Sequence, residues 1–587
     1  MSDIIKQSWD SFKARPDVWF FYMFLLTSAL SIRKILYYLP INNSFNEYTG
    51  VYIYLSDIFL ILTFLFYILY NIKYILSNLR IYFVKIKAKL KLFHVEQLQN
   101  KPNPSLNCST WNNLKNTTYN VTYGTLLLIK KSYTLFINNY LTIFPLFIAF
   151  FSFLSILWTT NKLIATYRSI KLFEFILMYF YIIQIVPRGT FKDYFKQIPK
   201  TLTRMFHVEH HKETKKNNTI SKNKCSTWNI LQNLSLIIIW TGVFQSIIGV
   251  IQFIKQSSAG LFWLKESTIS PIMPGVAKII LDGDVYIRAY GLFPHPNILG
   301  GFLVFSIMLI LFHVEQFYIT QKADLHTKAN CSTWNNLLKK IINNVPRGTL
   351  FQFIILIQCL ALLLTFSKSA IFGLFIGLFY IYTASKNQIV PRGTIYKRVQ
   401  NMFKLFHVEQ FKRKIILLCG IFILSFLIAK PDVDSLLLKS LRERMFYVNI
   451  SIEAFTKKPF SGIGAGQFIP SMVNNYGLEA WLYQPVHNVF LLILNEFGFF
   501  LLFGFIYFLF KLFHMKQFKP EGDTDCSTWN NLKSNTILIY LKGILLAFVF
   551  IMFFDHYFWD IQQGQIILWI LFALLASQHK QEHLTEK

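Results

Sequence analysis

Asn488-Val-Phe-Leu-Leu-Ile-Leu-Asn495-Glu496-Phe-Gly498-Phe-Phe-Leu-Leu-Phe-Gly504-Phe-Ile-Tyr-Phe-Leu-Phe510 carries a single charged side chain, Glu496, in its whole length. A run of this kind meets the roughly 20 apolar residues that a helix needs to cross the hydrocarbon core of a bilayer. Comparable runs recur on both sides of it. Spans are expected near 18–37, 51–75, 140–159, 167–185, 231–253, 298–312, 350–367, 369–385, 413–429, 488–510, 535–554 and 563–578. Composition agrees: of 587 residues, 53% are hydrophobic, 18% aromatic and only 15% charged. A soluble domain cannot bury that much apolar surface, and a disordered chain would not carry it. The expected fold is all-α: a polytopic integral membrane protein of about twelve transmembrane helices. The first span lacks a small-residue cleavage site, so it reads as an anchor and not as a cleaved signal.

A net charge of +30 would suit a nucleic-acid binder in a soluble chain. In a membrane chain it reflects Lys and Arg retained in cytoplasmic segments, and no nucleic-acid partner is expected. With the N-terminus inside, most of the 59 lysines and arginines fall on the cytoplasmic side. Both termini are then cytoplasmic. Two long external loops follow, 254–297 and 430–487, with short ones at 367–369 and 555–564.

Three words repeat along the chain. Cys-Ser-Thr-Trp-Asn begins at Cys108, Cys225, Cys331 and Cys526. Val-Pro-Arg-Gly-Thr begins at Val186, Val345 and Val390, and Phe-His-Val-Glu at Phe93, Phe206, Phe312 and Phe406, with a degraded copy at Phe513. Neither period nor pattern suits a structural repeat. One palindromic DNA word, TGTTCCACGTGGAACA, encodes all three in its three frames, and the flanking residues permit the required codons. The repeats are therefore read as insertions of a DNA element. Four of the six cysteines come from it, which removes the zinc and disulfide readings. All copies fall in expected cytoplasmic loops, so they are expected to mark dispensable backbone. The stretch 312–335 is then expected to be removable.

No copy enters an external loop, and a face that excludes insertions is where function is expected. A limit on translocating longer external loops would produce the same pattern. The first long loop ends in Arg288-Ala-Tyr-Gly-Leu-Phe-Pro-His295-Pro-Asn297. The second holds Arg442-Glu-Arg444 and Gly462-Ile-Gly464-Ala-Gly466-Gln-Phe468, then closes with His487-Asn488. Basic residues outside run against the charge rule. Arg288, Arg442, Arg444 and Lys368 are candidates for an anion such as a lipid diphosphate, which suits arginine forks. The alternative for each is a lipid headgroup or a loop carboxylate such as Glu443. His487, where loop meets helix, is a candidate general base; the alternative is a capping or packing histidine. His295 either shapes its loop or touches substrate, and His556 is a weaker candidate of the same kind. The three glycines lack a preceding strand and a following Lys-Ser/Thr, so they read as a tight turn and not a nucleotide loop. Glu496, nine residues after His487, lies on the far side of a helix. It needs a partner inside the membrane, for which Lys542 is available. No carboxylate pair stands out on the external face.

At these residues the chain resembles the O-antigen ligase and polymerase family of bacterial envelope glycosyltransferases. The resemblance rests on Arg288-x-x-Gly291-x-Phe293 with Pro296-Asn297, Ser367-Lys368, the Gly-Ile-Gly-Ala-Gly-x-Phe stretch, and His487-Asn488 followed by Glu496-x-Gly498. It covers roughly residues 230–578. It implies a division into N-terminal membrane helices with cytoplasmic inserts (1–230), a ligase-like membrane core (231–578) and a cytoplasmic tail (579–587). It implies metal-independent, inverting transfer of a glycan from an undecaprenyl-diphosphate-linked donor at the outer face of the bacterial inner membrane, with no cofactor. The acceptor would be another glycan, lipid A core or a protein serine, the last making it a protein O-oligosaccharyltransferase. His487 would deprotonate the acceptor, while Arg288 and Arg444 neutralise the diphosphate. Arg442, Lys368, His295, Asn297, Asn488, Gly464, Gly466 and Glu496 would bind substrate. At 368 the family's usual arginine is a lysine, which keeps the charge but loses the fork. The rival readings are a transporter of the bicarbonate-uptake type and a non-catalytic envelope scaffold.

Overall fold

Inside a bilayer no water is available to backbone N–H and C=O groups, so apolar runs fold as helices that satisfy their own backbone. In the computed structural model the described residues are 12–13, 15–72, 139–188, 220–281, 283–324, 349–386, 433–473, 475–515 and 525–585. In chain order they form α1 (Pro16–Ser28), β1 (Arg33–Tyr38), β2 (Gly50–Tyr54), α2 (Leu55–Ile72), α3 (Tyr140–Ser155), α4 (Lys162–Arg188) and α5 (Ile220–Lys255). Then come β3 (Lys278–Leu281), β4 (Asp284–Ile287), α6 (Pro296–Asp324), α7 (Thr349–Leu364), α8 (Lys368–Lys386) and α9 (Val433–Lys457). The chain closes with α10 (Phe468–Val473), α11 (Val489–Phe513), α12 (Asp525–Met552), α13 (Tyr557–Asp560) and α14 (Gln562–Thr585).

Six helices among the described residues are long and apolar enough to cross a membrane: α2, α5, α6, α8, α11 and α12. The apolar stretches of α3 and α7 are shorter. The span expected at 413–429 lies outside the described residues, as do the first eleven residues and the last two.

The core runs through α14, whose residues Ile566 to Ala576 are all buried. Helix α4 packs along it, and α6, α11 and α12 also touch it. Helices α8 and α12 cross closely because a Cβ at Gly377 would sit 2.7 Å from the Gly543 carbonyl oxygen. Small residues at such a crossing let two backbones approach and gain dispersion contact that lipid cannot supply.

Three expectations change. The fold is mostly helical but not all-α: β1 pairs antiparallel with β2, and β3 with β4. The first expected span, 18–37, is helical only to Ser28. Arg33 and Lys34 then open a strand through Ile35-Leu36-Tyr37-Tyr38, a run of β-formers paired with Gly50–Tyr54. The second long loop opens with a 25-residue helix, α9.

The DNA-derived words also differ from expectation wherever they are described. Those at Cys225 and Cys526 form early turns of α5 and α12, and Val186-Pro-Arg188 ends α4. The copy at Phe312 continues α6: Phe312 and Val314 are buried in the main core, and Phe312 packs on the Tyr540 ring. His313 bonds to the Ser235 hydroxyl. These words stand toward helix ends, and at Phe312 and His313 the word packs against α12 and α5. Phe312 and Val314, at the start of the stretch 312–335, are thus part of the core. Replacing Phe312 and Val314 together by alanine is expected to cost about 4 kcal/mol through the cavity left. Thermal unfolding of the purified protein in detergent checks this; a melting temperature equal to wild type would contradict it. The copies beginning at Phe93, Cys108, Phe206, Cys331, Val345, Val390 and Phe406 lie outside the described residues.

Candidate active site

One end of the bundle collects the connections between helices. Ser31 bonds to Leu292 O, Asn42 to Leu478 O, Trp158 to Gly462 O, and Arg168 to Asp560 O. His487 is held here by the start of α11. Asn488 is its N-cap: the side-chain oxygen accepts from Leu491 N at 2.9 Å, and the amide nitrogen donates to Phe553 O at 3.1 Å. Both ends of the Asn488 side chain are therefore used in joining α11 to the end of α12.

That joint brings His487 against the segment 555–560. The His487 and His556 rings stack with centroids 5.1 Å apart and planes 9° apart. His556 Nδ1 bonds to Asp560 Oδ1 at 2.8 Å, and its backbone N–H donates to Asp555 Oδ1 at 3.0 Å. Asp555 Oδ2 accepts from Asn297 Nδ2 at 2.6 Å. Asn297 Oδ1 in turn accepts from Arg288 Nη2 at 2.5 Å, and Arg288 Nε donates to Thr365 O at 2.6 Å. A continuous polar chain thus runs from Arg288 through Asn297 to Asp555 and His556. His295 belongs to it through its Nδ1, which accepts from Asn297 N at 3.2 Å.

Charge is distributed unevenly along this chain. Burial pushes the His487 imidazole down to about 3, aided by the neighbouring His556 charge and opposed by Asp555. His295 is likewise down to about 3, through burial first and then Arg288 and His556. Burial also disfavours a charge on His556, but Asp560 outweighs it by ionic attraction and hydrogen bonding, with Asp555 helping, and His556 binds its proton more tightly than usual. His487 is therefore held neutral, beside a His556 that holds its proton more readily than an ordinary histidine. Arg288 is lowered by burial to about 10 and stays charged at neutral pH. His487 Nδ1 is buried and makes no hydrogen bond among the described residues.

Two further cations join from other elements. Lys368, at the start of α8, lies within electrostatic reach of Arg444 and Arg288, and His487 also senses Arg444. Arg442 stands apart. On a helix, residues two apart point about 200° from one another, and α9 leaves Arg442 exposed while Arg444 is half-buried.

Glu496 and the glycines form a separate joint. Gly498 has φ 81° and ψ −179°, which breaks α11 there. The carbonyls of Asn495 and Glu496 accept from Ile463 N at 2.8 Å and Gly464 N at 2.9 Å. Glu496 Oε1 accepts from Gly466 N at 3.0 Å and Oε2 from Trp559 Nε1 at 2.9 Å. Gly464, Gly466 and Glu496 thus clasp a broken helix beside a cavity of about 30 Å³ that Arg168, Trp559 and Asp560 also line. Lys542 is not the partner of Glu496: its ammonium donates to Met515 O at 2.6 Å.

The residues that sequence reading passed over are Asp555 and Asp560, a carboxylate pair that flanks and binds His556 where none was expected to stand out. The available signal was Asp555-His556-x-x-x-Asp560, an acid four residues after a histidine at the start of a short helix. His487, Asp555 and His556 also present ligand atoms within 4.8 Å of one another, the donor set a divalent metal would use. Stacked rings in nearly parallel planes do not aim their in-plane lone pairs at one centre, so a metal would require one ring to turn.

Residues 353–506 match the family model described as O-antigen ligase. The match covers about a quarter of the chain. It includes Lys368, Arg442, Arg444, Gly464, Gly466, His487, Asn488 and Glu496, while Arg288, His295 and Asn297 precede it and Asp555, His556 and Asp560 follow it. A comparison with curated proteins finds no match. The family match indicates a membrane glycan-transferring ligase.

Proposed function

We propose that this chain transfers a glycan from an undecaprenyl-diphosphate-linked donor to an acceptor hydroxyl at the outer face of the bacterial inner membrane. It does so with inversion and with no metal or cofactor. The observation that carries the reading is the neutral His487 imidazole beside Arg444, with Arg444 and Arg288 both within electrostatic reach of Lys368, so that three different elements bring cations to this end.

The donor's diphosphate sits among the cations. Arg288 is already fixed by Thr365 and Asn297, so its remaining N–H groups are aimed in advance and cost little reorganisation when they meet phosphate. Lys368 adds charge without a fork. Burial keeps His487 in its unprotonated form at neutral pH, ready to accept a proton. A bound diphosphate beside it raises its proton affinity at the moment it is needed. As the acceptor hydroxyl loses its proton to His487, its oxygen bonds to the anomeric carbon on the face opposite the phosphate. The bond from that carbon to the phosphate oxygen breaks, and undecaprenyl diphosphate leaves with the electron pair. Asp555 steadies the histidinium that results, and Asn297 holds Asp555 in register with Arg288. Asn297 and Asn488 act in this account by positioning, because their side chains are already bonded within the protein.

Transporter sites lie near the bilayer midplane, between helices. Here the ionisable cluster lies at one end, among the connections, which favours the transferase. The acceptor is a further glycan unit, lipid A core or a protein serine.

The test is purified protein in vesicles with an undecaprenyl-diphosphate-linked oligosaccharide, with release of undecaprenyl diphosphate as readout. Release that persists in excess chelator supports the metal-free reading, and release abolished by chelator and restored by a divalent cation overturns it. In the same assay Arg288→Lys is expected to lower kcat/KM on the order of 100-fold, nearly as far as Arg288→Ala, because lysine cannot bond Thr365 and Asn297 and still present two donors. A lysine variant near wild type would show that charge alone suffices.

A further inference from the structure

We propose that the first long loop carries a membrane-interface finger, with the tip Phe262-Trp263 inserted among the headgroups of the leaflet nearest the site. Trp263 is 95% exposed and Phe262 63%, an unusual amount of aromatic surface to leave uncovered. The tip is not loose. Phe262–Leu264 form one 3-10 turn closed by Lys265 in the left-handed region, at φ 57°. Glu266 staples the base: its carboxylate accepts from Ala259 N, Gly260 N and Leu261 N at 2.5, 2.9 and 2.6 Å, and from Gln252 Nε2 at 2.8 Å. Ser258 adds a second tie, donating to Ser267 O and accepting from Ile269 N. The fold therefore holds two aromatic rings outward by construction.

What covers them follows from the helix that leads there. Along α5 the exposed large residues are Trp240, Phe244, Ile247, Ile251 and Ile254. Their spacing of four, three, four and three residues draws one stripe down a helix face, with Leu234, Ile238, Val243 and Ile248 buried on other faces. This stripe is the lipid-facing side of a helix long and apolar enough to cross a membrane. It runs to Ile254, and the finger begins within a few residues of it. The lipid contact of α5 thus continues into the tip. Tryptophan favours the headgroup level, and Lys255 and Lys265 place positive charge on either side of the tip, where lipid phosphates lie.

The finger is coupled to the site. Gln256, at its base, accepts a hydrogen bond from Ile287 N at 2.7 Å through its side-chain oxygen, and Ile287 directly precedes Arg288. Seating the finger at the interface fixes the depth at which Arg288 is presented. The inference depends on the membrane reading alone and stands whether or not the chain transfers a glycan.

The probe is the full chain in phosphatidylethanolamine–phosphatidylglycerol vesicles whose acyl chains carry bromines either near the headgroups or near the bilayer centre. Subtracting the Trp263→Phe emission from wild type isolates the Trp263 share, and Trp240→Phe isolates a mid-helix reference. Trp263 is solvent-exposed in the fold, so its replacement leaves packing intact. The expected result is loss of most of the Trp263 share to shallow bromines and less to deep ones, with the Trp240 share showing the reverse order. A Trp263 share untouched by either brominated lipid but removed by aqueous iodide would overturn the proposal and place the tip in water.

Discussion

His487→Ala is expected to lower glycan transfer about 10³-fold while leaving the protein inserted and folded. Loss of a positioned general base typically costs 10² to 10⁴ in rate. The ring's contacts are with His556 and Tyr447 at a loop-helix boundary, so the fold loses little with it. His487→Gln separates base from filler: it keeps side-chain bulk and polarity but accepts no proton near neutrality. The account expects both variants to fail alike. A glutamine variant close to wild type would assign His487 to packing. The same account sets the pH response. With His487 down to about 3 in the free protein, its base form is populated throughout, and kcat/KM is expected to be level between about pH 5 and 8. An acid limb centred near the ordinary histidine value would mean that the imidazole is not held neutral.

Gly498→Ala is expected to remove most folded protein from the membrane. Its φ of 81° with ψ near 180° belongs to a region that only glycine occupies readily. A Cβ there would lie 2.2 Å from the Phe460 carbonyl oxygen, a backbone atom that cannot step aside. Strain and overlap together are expected to cost more than about 3 kcal/mol. The break also frees the carbonyls of Asn495 and Glu496 to bond the glycine loop. Straightening α11 would take them back into the helix and leave Ile463 and Gly464 N–H groups unpaired. Gly477, with open space around it and no positive φ, is the matched control: Gly477→Ala is expected to accumulate like wild type. Equal yields of the two variants in detergent-solubilised membranes would contradict the argument.

Much of the site was legible because its chemistry runs against its surroundings. Cations in loops expected outside the membrane and a histidine at a helix start stand out in an apolar chain, and Arg288, Arg444, Lys368, His295 and His487 converge in space. The carboxylates were not legible. Asp555 and Asp560 sit on a short connection where acids are ordinary, and only the fold reveals that they hold His556 against His487. Arg444 was set ahead of Arg442 by the resemblance alone, and α9 turns the two apart. Helix α11 looked continuous, because nothing in Asn495-Glu496-Phe497-Gly498 shows that a loop thirty residues earlier will supply the bonds its break requires. The DNA-derived words were recognisable by their code, yet their contribution to α6 depends on packing against Tyr540, which no code records.

The most direct test of the central claim is the surface glycan profile of a strain lacking this chain, complemented with wild-type or His487→Ala protein expressed to equal levels. The account predicts loss of a surface glycan that wild type restores and His487→Ala does not, with lipid-linked donor accumulating behind the block. An unchanged profile in the deletion strain, or full restoration by His487→Ala, would contradict it.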